Sequence, residues 1–336
     1  MMQSFKAFVL SEQEGTFTPA FQTLTTADLP DGDVTVRVHY SSINYKDMLA
    51  TQPNNKIIRQ YPRIPGIDLA GTVIDSQHPQ FKKGDQVIAT GYDLGVSHDG
   101  GFSEVMRLNG DWLVPLPENL TLEEAMIIGT AGYTAALSVD ALEQNGLTHD
   151  KGPVLVRGAS GGVGTIATMI LHTLGYEVIA SSDNTDYAAT LKKIGASDVI
   201  PRISDVTPKA LSKTEWQAVV DPVGGPSIEE VLKRIHPSGA LALSGNAGGT
   251  AFESTVFPFI LRGLRLIGID SVYTPMAYRQ HIWQRLATDF KSAHLHTIKQ
   301  VIAFAELQNG LEAVHQSTHN GRIVIDMQVE NPLQND

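Results

Sequence analysis

A cluster of four glycines carries the clearest chemical signal in this chain: Gly158, Gly161, Gly162 and Gly164. The apolar run Pro153 to Val156 precedes the cluster and is typical of a buried strand, and Val163 to Leu174 has the apolar period of a helix. A strand, a glycine-rich turn and a helix in this order form a binding site for the pyrophosphate of a dinucleotide.

The small residues have separate physical uses in such a turn. Ala159 and Gly161 allow the backbone to turn tightly and to approach phosphate oxygens, and Gly164 lets the helix pack against its strand. The helix N-terminus offers free N–H groups and a partial positive charge of roughly +0.5 e. We therefore predict contacts to a bound dinucleotide from the following residues: Ser160, Gly161, Gly162 and Val163.

The elements that position this turn fall into two regions. With 336 residues the chain is long enough for two domains. Residues 1 to about 125 contain short apolar runs separated by turn residues, which predicts a compact β-rich, barrel-like domain. The strands predicted there are Val34–His39, Gly71–Ile74, Gln86–Ala89 and Trp112–Val114.

From Leu122 onwards the pattern changes to two helical runs with a break near Gly129 to Tyr133, followed by alternating strands and helices. This alternation predicts an α/β fold with a doubly wound parallel sheet. The strands are predicted at Val154–Val156, Glu177–Ala180, Asp198–Ile200, Ala218–Asp221, Leu241–Ser244 and Leu264–Ile269. The helices between and after them are predicted at Asp186–Ile194, Ser227–Ile235 and Tyr278–Phe290. A last helix at Lys299–Val314 and a strand at Arg322–Met327 are predicted to return to the first domain.

Composition excludes several classes of function. The net charge of −11 argues against nucleic acid or an acidic membrane surface as a partner. We find no run close to the ~20 apolar residues of a membrane helix and no signal-peptide pattern at the start. The chain has no cysteine, which excludes disulfides, thiolate catalysis and cysteine-based zinc sites. We expect a cytoplasmic protein.

Several segments together resemble the medium-chain dehydrogenase/reductase superfamily, and within it the zinc-free branch of acrylyl-CoA reductases and quinone-oxidoreductase-like proteins. The segments are SSINYKD (41–47), IPGIDLAGTV (64–73), GTAGYTA (129–135), GASGGVG (158–164), PFILRGLRLIGIDSV (258–272) and NGR (320–322). The resemblance implies a GroES-like substrate domain at 1–125, completed by 272–336, and a Rossmann NADP-binding domain at 126–271.

The resemblance also implies that no zinc is bound. In zinc-dependent relatives a catalytic cysteine falls where Asn44 stands, and a His-Glu pair is replaced here by Ile67 and Asp68. The four-cysteine structural loop has no counterpart, and zinc requires three or four N, S or O ligands.

The choice of nucleotide depends on the end of the second strand of the nucleotide domain. NAD-dependent relatives have an acidic residue there, whereas here Ser182 occupies the position and tolerates a 2′-phosphate. Asp183 lies one residue later, so NAD remains a possible cofactor. Asn184 stands where near relatives often have a basic residue. Arg202 matches a family position that contacts the NADP phosphate, although a solvated loop charge is the alternative. We predict NADP(H).

Without a metal or a thiolate, a nicotinamide enzyme needs an acceptor that is already electrophilic, such as a double bond conjugated to a thioester or ketone, or a quinone. The protein then aligns the reactants, stabilises the enolate oxygen and delivers a proton. We expect an NADPH-dependent reductase of acrylyl-CoA. A quinone reductase is the alternative enzyme, and a nucleotide-binding redox sensor is the alternative outside enzymes.

Tyr45 is the first candidate for a catalytic group, because its segment carries metal ligands in zinc relatives and should face the interdomain cleft. Its phenol could donate a proton, or it could be a packing residue. Asn44 could orient an oxygen or cap the local turn. For Lys46 and Asp47 we favour an ion pair or a helix cap over a catalytic role.

The resemblance adds further cofactor contacts, each of which could instead be ordinary core or turn. Besides Tyr45, they are Thr130, Asn246, Ile260, Ser271 and Asn320. Tyr133 is, with Thr130, a candidate to line the cleft, and His98 is a weaker candidate because a lone loop histidine is usually solvated. The strand Leu264–Ile269 could pair with a second subunit, and we expect a homodimer.

Overall fold

The computed structural model describes residues 4–329. The chain divides into two compact units. The first contains, among the described residues, 4–130, Val272–His281 and 299–329, and the second contains Ala131–Ser271 and Ile282–Ile298.

The strands, in chain order, are β1 (Ser4–Gln13), β2 (Thr16–Thr25), β3 (Val34–Ile43), β4 (Asp68–Ser76), β5 (Gln86–Thr90), β6 (Val105–Leu108), β7 (Leu113–Pro115), β8 (Val154–Arg157), β9 (Val178–Ser181), β10 (Asp198–Ile200), β11 (Trp216–Asp221), β12 (Ile235–Leu243), β13 (Arg265–Gly268), β14 (Lys299–Ala303) and β15 (Arg322–Asp326). The α-helices are α1 (Tyr45–Ala50), α2 (Leu122–Gln144), α3 (Gly162–Thr173), α4 (Ala188–Lys193), α5 (Ile228–Arg234), α6 (Phe257–Arg262), α7 (Met276–Ala287) and α8 (Leu307–His315).

The first unit is β-rich, as predicted. Its main sheet has the order β14-β15-β3-β4-β5-β7, with β6 also paired to β3, and the β1–β2 hairpin forms a separate sheet. The four predicted strands are confirmed, except that Trp112 belongs to a short 3₁₀ turn before β7. Apolar side chains such as Phe8, Phe102 and Met106 are almost fully buried and form the core of this unit.

The predicted helix over Lys299–Val314 is wrong in its first part. Lys299–Ala303 forms β14, which pairs in parallel with β15 and brings Val301 opposite Val324. Branched side chains such as Val301 and Ile302 favour a strand that can pair with a neighbour, and this pairing outweighs the helical pattern. Only α8 remains helical, and its buried Leu311 packs into the core of the first unit.

The second unit contains the predicted doubly wound sheet. Its six strands are all parallel, in the order β10-β9-β8-β11-β12-β13. Leu155, Val219 and Leu241 on neighbouring strands form the buried centre of this sheet. The strand order reverses beside β8, so the glycine turn after β8 lies at the point where such folds bind ligands.

The second unit also takes in Ile282–Ile298, which the sequence prediction grouped with the first domain. Two contacts explain the difference. The fully buried ring of Trp283 stacks on Tyr133, with ring centroids 6.0 Å apart. Arg285 forms ion pairs with Asp140 and Glu143, at 2.6 and 2.8 Å.

The predicted break near Gly129 is confirmed within α2, where Gly129 has φ 50° and ψ −160°. Among the described residues, α2 is the one helix that is long and apolar enough to cross a membrane, which the sequence analysis did not anticipate. Its most apolar stretch is 89% buried inside the protein, which is the usual environment of a core helix.

Candidate active site

The carboxylate of Asp68 is the centre of a buried polar network in the first unit. Asp68 begins β4 and is completely buried. Its Oδ2 accepts hydrogen bonds from the Ser42 hydroxyl (2.7 Å), the Asn44 amide (2.7 Å) and the Thr130 backbone N–H (2.9 Å). The Thr130 hydroxyl donates to Oδ1 at 2.5 Å. These four donors satisfy the hydrogen-bonding capacity of the buried carboxylate.

Arg322 supplies the positive charge of this network. It begins β15, is 3% exposed, and places Nη2 3.8 Å from Asp68 Oδ2 and 2.8 Å from the Ser42 hydroxyl. Its Nε donates to the Ile127 carbonyl, and Nη1 donates to the Asn44 side-chain oxygen at 3.2 Å. Burial lowers the pKa of the Arg322 guanidinium, against the opposite effects of the Asp68 and Asp47 carboxylates. A guanidinium nevertheless stays charged in a protein.

Asn44 connects the two charged groups to a second carboxylate, Asp47. The Asn44 amide nitrogen donates to Asp47 Oδ2 at 3.2 Å, and the Asn44 backbone N–H donates to the same oxygen at 2.8 Å. The Ile67 backbone N–H donates to Asp47 Oδ1 at 2.9 Å. The helix cap expected of Asp47 is therefore present. Lys46, the other residue considered for an ion pair there, forms none with the described residues.

The proton affinity of Asp47 is raised by its surroundings. Burial is the main cause and the charge of Asp68 adds to it, so the pKa of Asp47 rises from 3.8 to about 7. The three N–H donors act in the opposite direction and do not cancel these effects. Near neutral pH the network can therefore hold or release one proton at this carboxyl group.

Gly129 makes room for the network. A Cβ atom at this position would lie 2.5 Å from Asp68 Oδ2, 2.7 Å from Arg322 Nη2 and 2.7 Å from the Ser42 hydroxyl. Its positive φ also disfavours any other residue. The break in α2 and the compact arrangement of the charged groups therefore have the same cause.

Sequence reasoning did not assign a role to Asp68 or Arg322. A signal was present, because each is a charged residue that opens an apolar strand, DLAGTV and RIVID respectively. A charged residue in such a place is rarely buried unless it is paired. The pairing itself joins residues that are far apart along the chain, and only the fold shows it.

Tyr45 is the first residue of α1 and its side chain is 49% exposed. The phenol follows Asn44 directly and is free to meet a bound molecule.

In the second unit, the glycine turn has the geometry expected of a phosphate site. Gly161 caps α3, and an added Cβ would meet only the Gly158 carbonyl oxygen, at 3.4 Å. The protein's own packing therefore does not require glycine there, which leaves space in front of the helix N-terminus for a phosphate. At Gly164 an added Cβ would lie 2.4 Å from the Gly158 oxygen, so this glycine is needed for close packing.

A buried ion pair that the sequence did not reveal supports this turn. Arg157, just before Gly158, bonds to Asp221 at the end of β11, and both side chains are buried. Asp221 Oδ1 also accepts the N–H groups of Val223 (2.8 Å) and Gly224 (3.0 Å). The pair thus holds the two loops at the carboxyl ends of β8 and β11.

The residues predicted to select the nucleotide lie beside the glycine turn. The Ser182 hydroxyl donates to the Ser160 hydroxyl at 3.0 Å and accepts the Asn184 N–H at 3.1 Å. Asp183 accepts the Arg202 backbone N–H at 2.8 Å, and the Arg202 Nε lies 3.7 Å from the other Asp183 oxygen. Asp183 and Arg202 are 59% and 63% exposed, so both remain accessible to a ribose or a phosphate.

The remaining residues predicted to contact the cofactor lie in varied surroundings. Thr130 bonds to Asp68, Asn246 is exposed in the loop after β12, and Ile260 is 68% exposed on α6. Ser271 and Asn320 are half-buried. Their contacts to a cofactor stay predictions.

A metal site of the usual kind is not formed by the described residues. Among residues 4–329, no three side chains of the metal-ligating types His, Cys, Asp or Glu lie together as a metal would require. Asp68 stands where zinc-dependent relatives have the glutamate of a His-Glu pair, and its carboxylate already accepts four hydrogen bonds.

Comparison with known protein families gives two matches. Residues 30–118 match the alcohol dehydrogenase GroES-like domain, and residues 162–288 match the family described as zinc-binding dehydrogenase.

Among individual proteins, the chain is 52% identical over 309 residues to the "Putative quinone oxidoreductase YhfP" of Bacillus subtilis (strain 168), covering 91% of this chain and 94% of YhfP. It is 42% identical over 327 residues to the "Acrylyl-CoA reductase AcuI" of Ruegeria pomeroyi, covering 96% of this chain and 99% of AcuI. The crystal structure of Bacillus subtilis YhfP with NAD bound superimposes with a TM-score of 0.95 and 49% identity. The match covers 97% of this chain and 100% of the YhfP chain. The YhdH oxidoreductase from Salmonella enterica in complex with NADP superimposes with a TM-score of 0.93 and 43% identity, and the match covers 96% of this chain and 100% of YhdH.

Proposed function

This chain belongs to the medium-chain dehydrogenase/reductase family, and on that premise we propose that it is an NADPH-dependent reductase of an activated carbon–carbon double bond, with acrylyl-CoA as the favoured substrate. The observation that carries the proposal is the similarity to an acrylyl-CoA reductase over 96% of the chain.

The residues of the second unit fit a nicotinamide dinucleotide. Space in front of the α3 N-terminus accommodates a phosphate beside Gly161, and Asp183 and Arg202 are available for the adenosine ribose. When bound, NADPH supplies the hydride. Arg202 is suited to the 2′-phosphate of NADP and Asp183 to the 2′-hydroxyl of NAD. One similar structure has NAD bound and another has NADP bound.

In the first unit, the buried network keeps Asn44 and the start of α1 in a fixed position, since Asn44 bonds to Asp47, Asp68 and Arg322. Tyr45 then presents its phenol from this rigid base, where it can donate a hydrogen bond to the oxygen that becomes negative, or a proton to the α-carbon. Asp47 can hold a proton near neutral pH and replace one that is consumed.

We further propose that the reaction proceeds without zinc, although one matching family is described as zinc-binding. Support comes from the donor set, because an amide stands at Asn44, an alkyl group at Ile67, and Asp68 is saturated by hydrogen bonds and faces Arg322. A metal ion that bound Asp68 in place of Arg322 would leave the buried guanidinium of Arg322 without its partner carboxylate.

Quinone reduction is the second candidate. The observation in its favour is the 52% identity to a protein described as a putative quinone oxidoreductase. A redox sensor without turnover has no comparable support, because the named relatives are oxidoreductases or reductases.

The test is the loss of NADPH absorbance with purified protein and two acceptors, acrylyl-CoA and a simple benzoquinone, with NADH as a parallel donor. Saturable turnover of acrylyl-CoA supports the proposal, and turnover of the quinone alone replaces it with the second candidate. Binding of NADPH without turnover of either would support the sensor.

We infer that the protein is a homodimer that pairs through β13. This strand is the outer edge of the six-stranded sheet. Just before it, Val256 and the α6 residues Ile260 and Leu261 are each more than 60% exposed. An open edge beside exposed apolar side chains suits association with a second copy. Leu261→Asp should give a monomer in sedimentation, whereas Val206→Asp, at an exposed valine elsewhere in the same unit, should not. The cytoplasmic location stays a prediction.

A further inference from the structure

We propose that the loop between α1 and β4 binds the phosphate groups of the substrate's CoA moiety through Lys56 and Arg59. This inference rests on the proposed function and makes it more specific, because a phosphate-binding loop is useful for a CoA thioester and serves no purpose for a free quinone.

The charge pattern of this segment differs from that of the whole chain. The chain has 36 acidic and 25 basic residues, yet residues 45–63 contain four basic side chains and a single acidic one, Asp47, which is buried. Arg63 is neutralised by Asp99 at 3.1 Å. Within residues 4–329, the remaining three cations form no ion pair. Two of these three, Lys56 and Arg59, lie in the loop, which therefore carries unpaired positive charge on an acidic protein.

The loop is built so that the charges of Lys56 and Arg59 face outwards. The Asn55 side chain holds it together, donating to the Ala50 carbonyl and accepting the N–H groups of Ile57 and Ile58 at 3.0 and 2.8 Å. Ile58 is 2% exposed and packs into the core, whereas Lys56 and Arg59 on either side of this pair are exposed.

Further contacts fix the end of the loop. The Tyr61 hydroxyl accepts a hydrogen bond from the Asn55 amide at 3.0 Å, and the Tyr61 ring meets the Phe17 ring edge-on at 5.8 Å. Glu12 and Glu14 lie on the same hairpin as Phe17, and neither forms an ion pair with the three cations. A loop ordered in this way presents its cations at little entropic cost on binding.

Both ends of the loop are connected to the candidate active site. The loop begins after α1, whose first residue is Tyr45, and it ends shortly before Ile67, whose N–H donates to Asp47. A thioester at Tyr45 thus has the basic loop on the adjoining segment of the same unit. The nucleotide end of CoA carries a pyrophosphate and a 3′-phosphate, for which lysine and arginine are the usual partners.

The test compares the double variant Lys56→Glu/Arg59→Glu with the matched charge reversal Lys82→Glu/Lys83→Glu, which changes two exposed lysines of the same unit. The substrates are acrylyl-CoA and acrylyl-pantetheine, which lacks the nucleotide. The first variant should raise KM for acrylyl-CoA by about tenfold or more, with kcat little changed. Its KM for acrylyl-pantetheine should equal that of the wild type, and the control should behave as the wild type with both substrates.

Salt gives an independent measurement, since screening weakens contacts between exposed charges. The wild-type KM for acrylyl-CoA should rise with ionic strength more steeply than that of the variant. The proposal is overturned if the variant leaves KM for acrylyl-CoA unchanged, if the control variant raises KM equally, or if KM for acrylyl-pantetheine rises as well.

Should the wild type reduce neither thioester, the proposed function fails and the loop is tested by calorimetry with CoA itself. Binding that is lost in Lys56→Glu/Arg59→Glu and retained in the control would support the loop as a CoA site. Absence of binding to the wild type would overturn it.

Discussion

Asp47 and Asp68 share one hydrogen-bond donor, the side-chain amide nitrogen of Asn44, which lies 3.2 Å from the first carboxylate and 2.7 Å from the second. Both carboxylates are buried, and among residues 4–329 a single guanidinium, that of Arg322, faces them. One cation cannot neutralise two buried anions, so this arrangement is consistent with a proton on Asp47 near neutral pH.

Replacing Asn44 by Ala should remove the shared donor and also the acceptor for Arg322 Nη1. We expect unfolding to become easier by about 2 kcal/mol, because buried polar groups lose their partners. We expect kcat to fall as well, because the start of α1 is no longer held. Steady-state kinetics and urea denaturation measure the two effects. Asn309→Ala, at an exposed position of α8, is the control and should change neither.

Asp47 predicts a particular dependence of stability on pH. Its pKa is raised in the folded protein, so the folded state holds the proton more tightly than the unfolded state. Its contribution to stability is full below 3.8, the ordinary pKa, and is lost as the pH rises to about 7. In Asp47→Asn the free energy of unfolding should change less over this range than in the wild type. Parallel pH profiles of the two proteins would contradict the raised pKa.

Gly129→Ala should destabilise the protein by about 3 kcal/mol or more, because the residue combines a positive φ with close contacts on three sides. The thermal midpoint and the unfolding free energy provide the measurement. Gly146→Ala, which also has a positive φ but no neighbour within 4 Å of an added Cβ, separates the effect of backbone strain from that of the contacts. Equal losses in the two variants would show that the contacts at Gly129 are unimportant.

Tyr45→Phe should lower kcat by about a hundredfold if the phenol donates a hydrogen bond or proton in the reaction. Its stability should hardly change, because the hydroxyl belongs to a half-exposed side chain. Tyr273→Phe, at an exposed tyrosine of the same unit, provides the comparison for kcat and for the thermal midpoint. An unchanged kcat in Tyr45→Phe would leave Tyr45 as a packing residue.

The ion pair between Asp183 and Arg202 predicts opposite changes in cofactor preference. Arg202→Ala should raise KM for NADPH far more than KM for NADH, because it removes the cation for the 2′-phosphate. Asp183→Asn should weaken NADH use and spare NADPH, because it removes a negative charge beside that phosphate. Ratios of kcat/KM for the two donors measure both changes. If Arg202→Ala affected NADPH and NADH equally, Arg202 would have no role in selecting the phosphate.

The part of the structure that could be predicted from sequence is the part governed by local pattern. The strand, turn and helix around Gly161 and the parallel sheet of the second unit follow from apolar periodicity and glycine spacing. The strand at Lys299–Ala303 was missed because its branched residues form a strand by pairing with β15, and that partner is not visible in the local pattern. The roles of Asp68 and Arg322 were missed for a related reason, since their burial becomes favourable only when they face each other.

The pairing of β15 with β3 also has a consequence for synthesis on the ribosome. Arg322 is separated from Asn44 by 278 positions. Strands β8 to β13 and the glycine turn leave the ribosome earlier, so the sheet of the nucleotide-binding unit can form while the chain is still growing. The carboxylates of Asp47 and Asp68 must wait for the last strand before they meet their cation. The candidate phosphate-binding turn can therefore form before translation ends, whereas the candidate catalytic network is completed last.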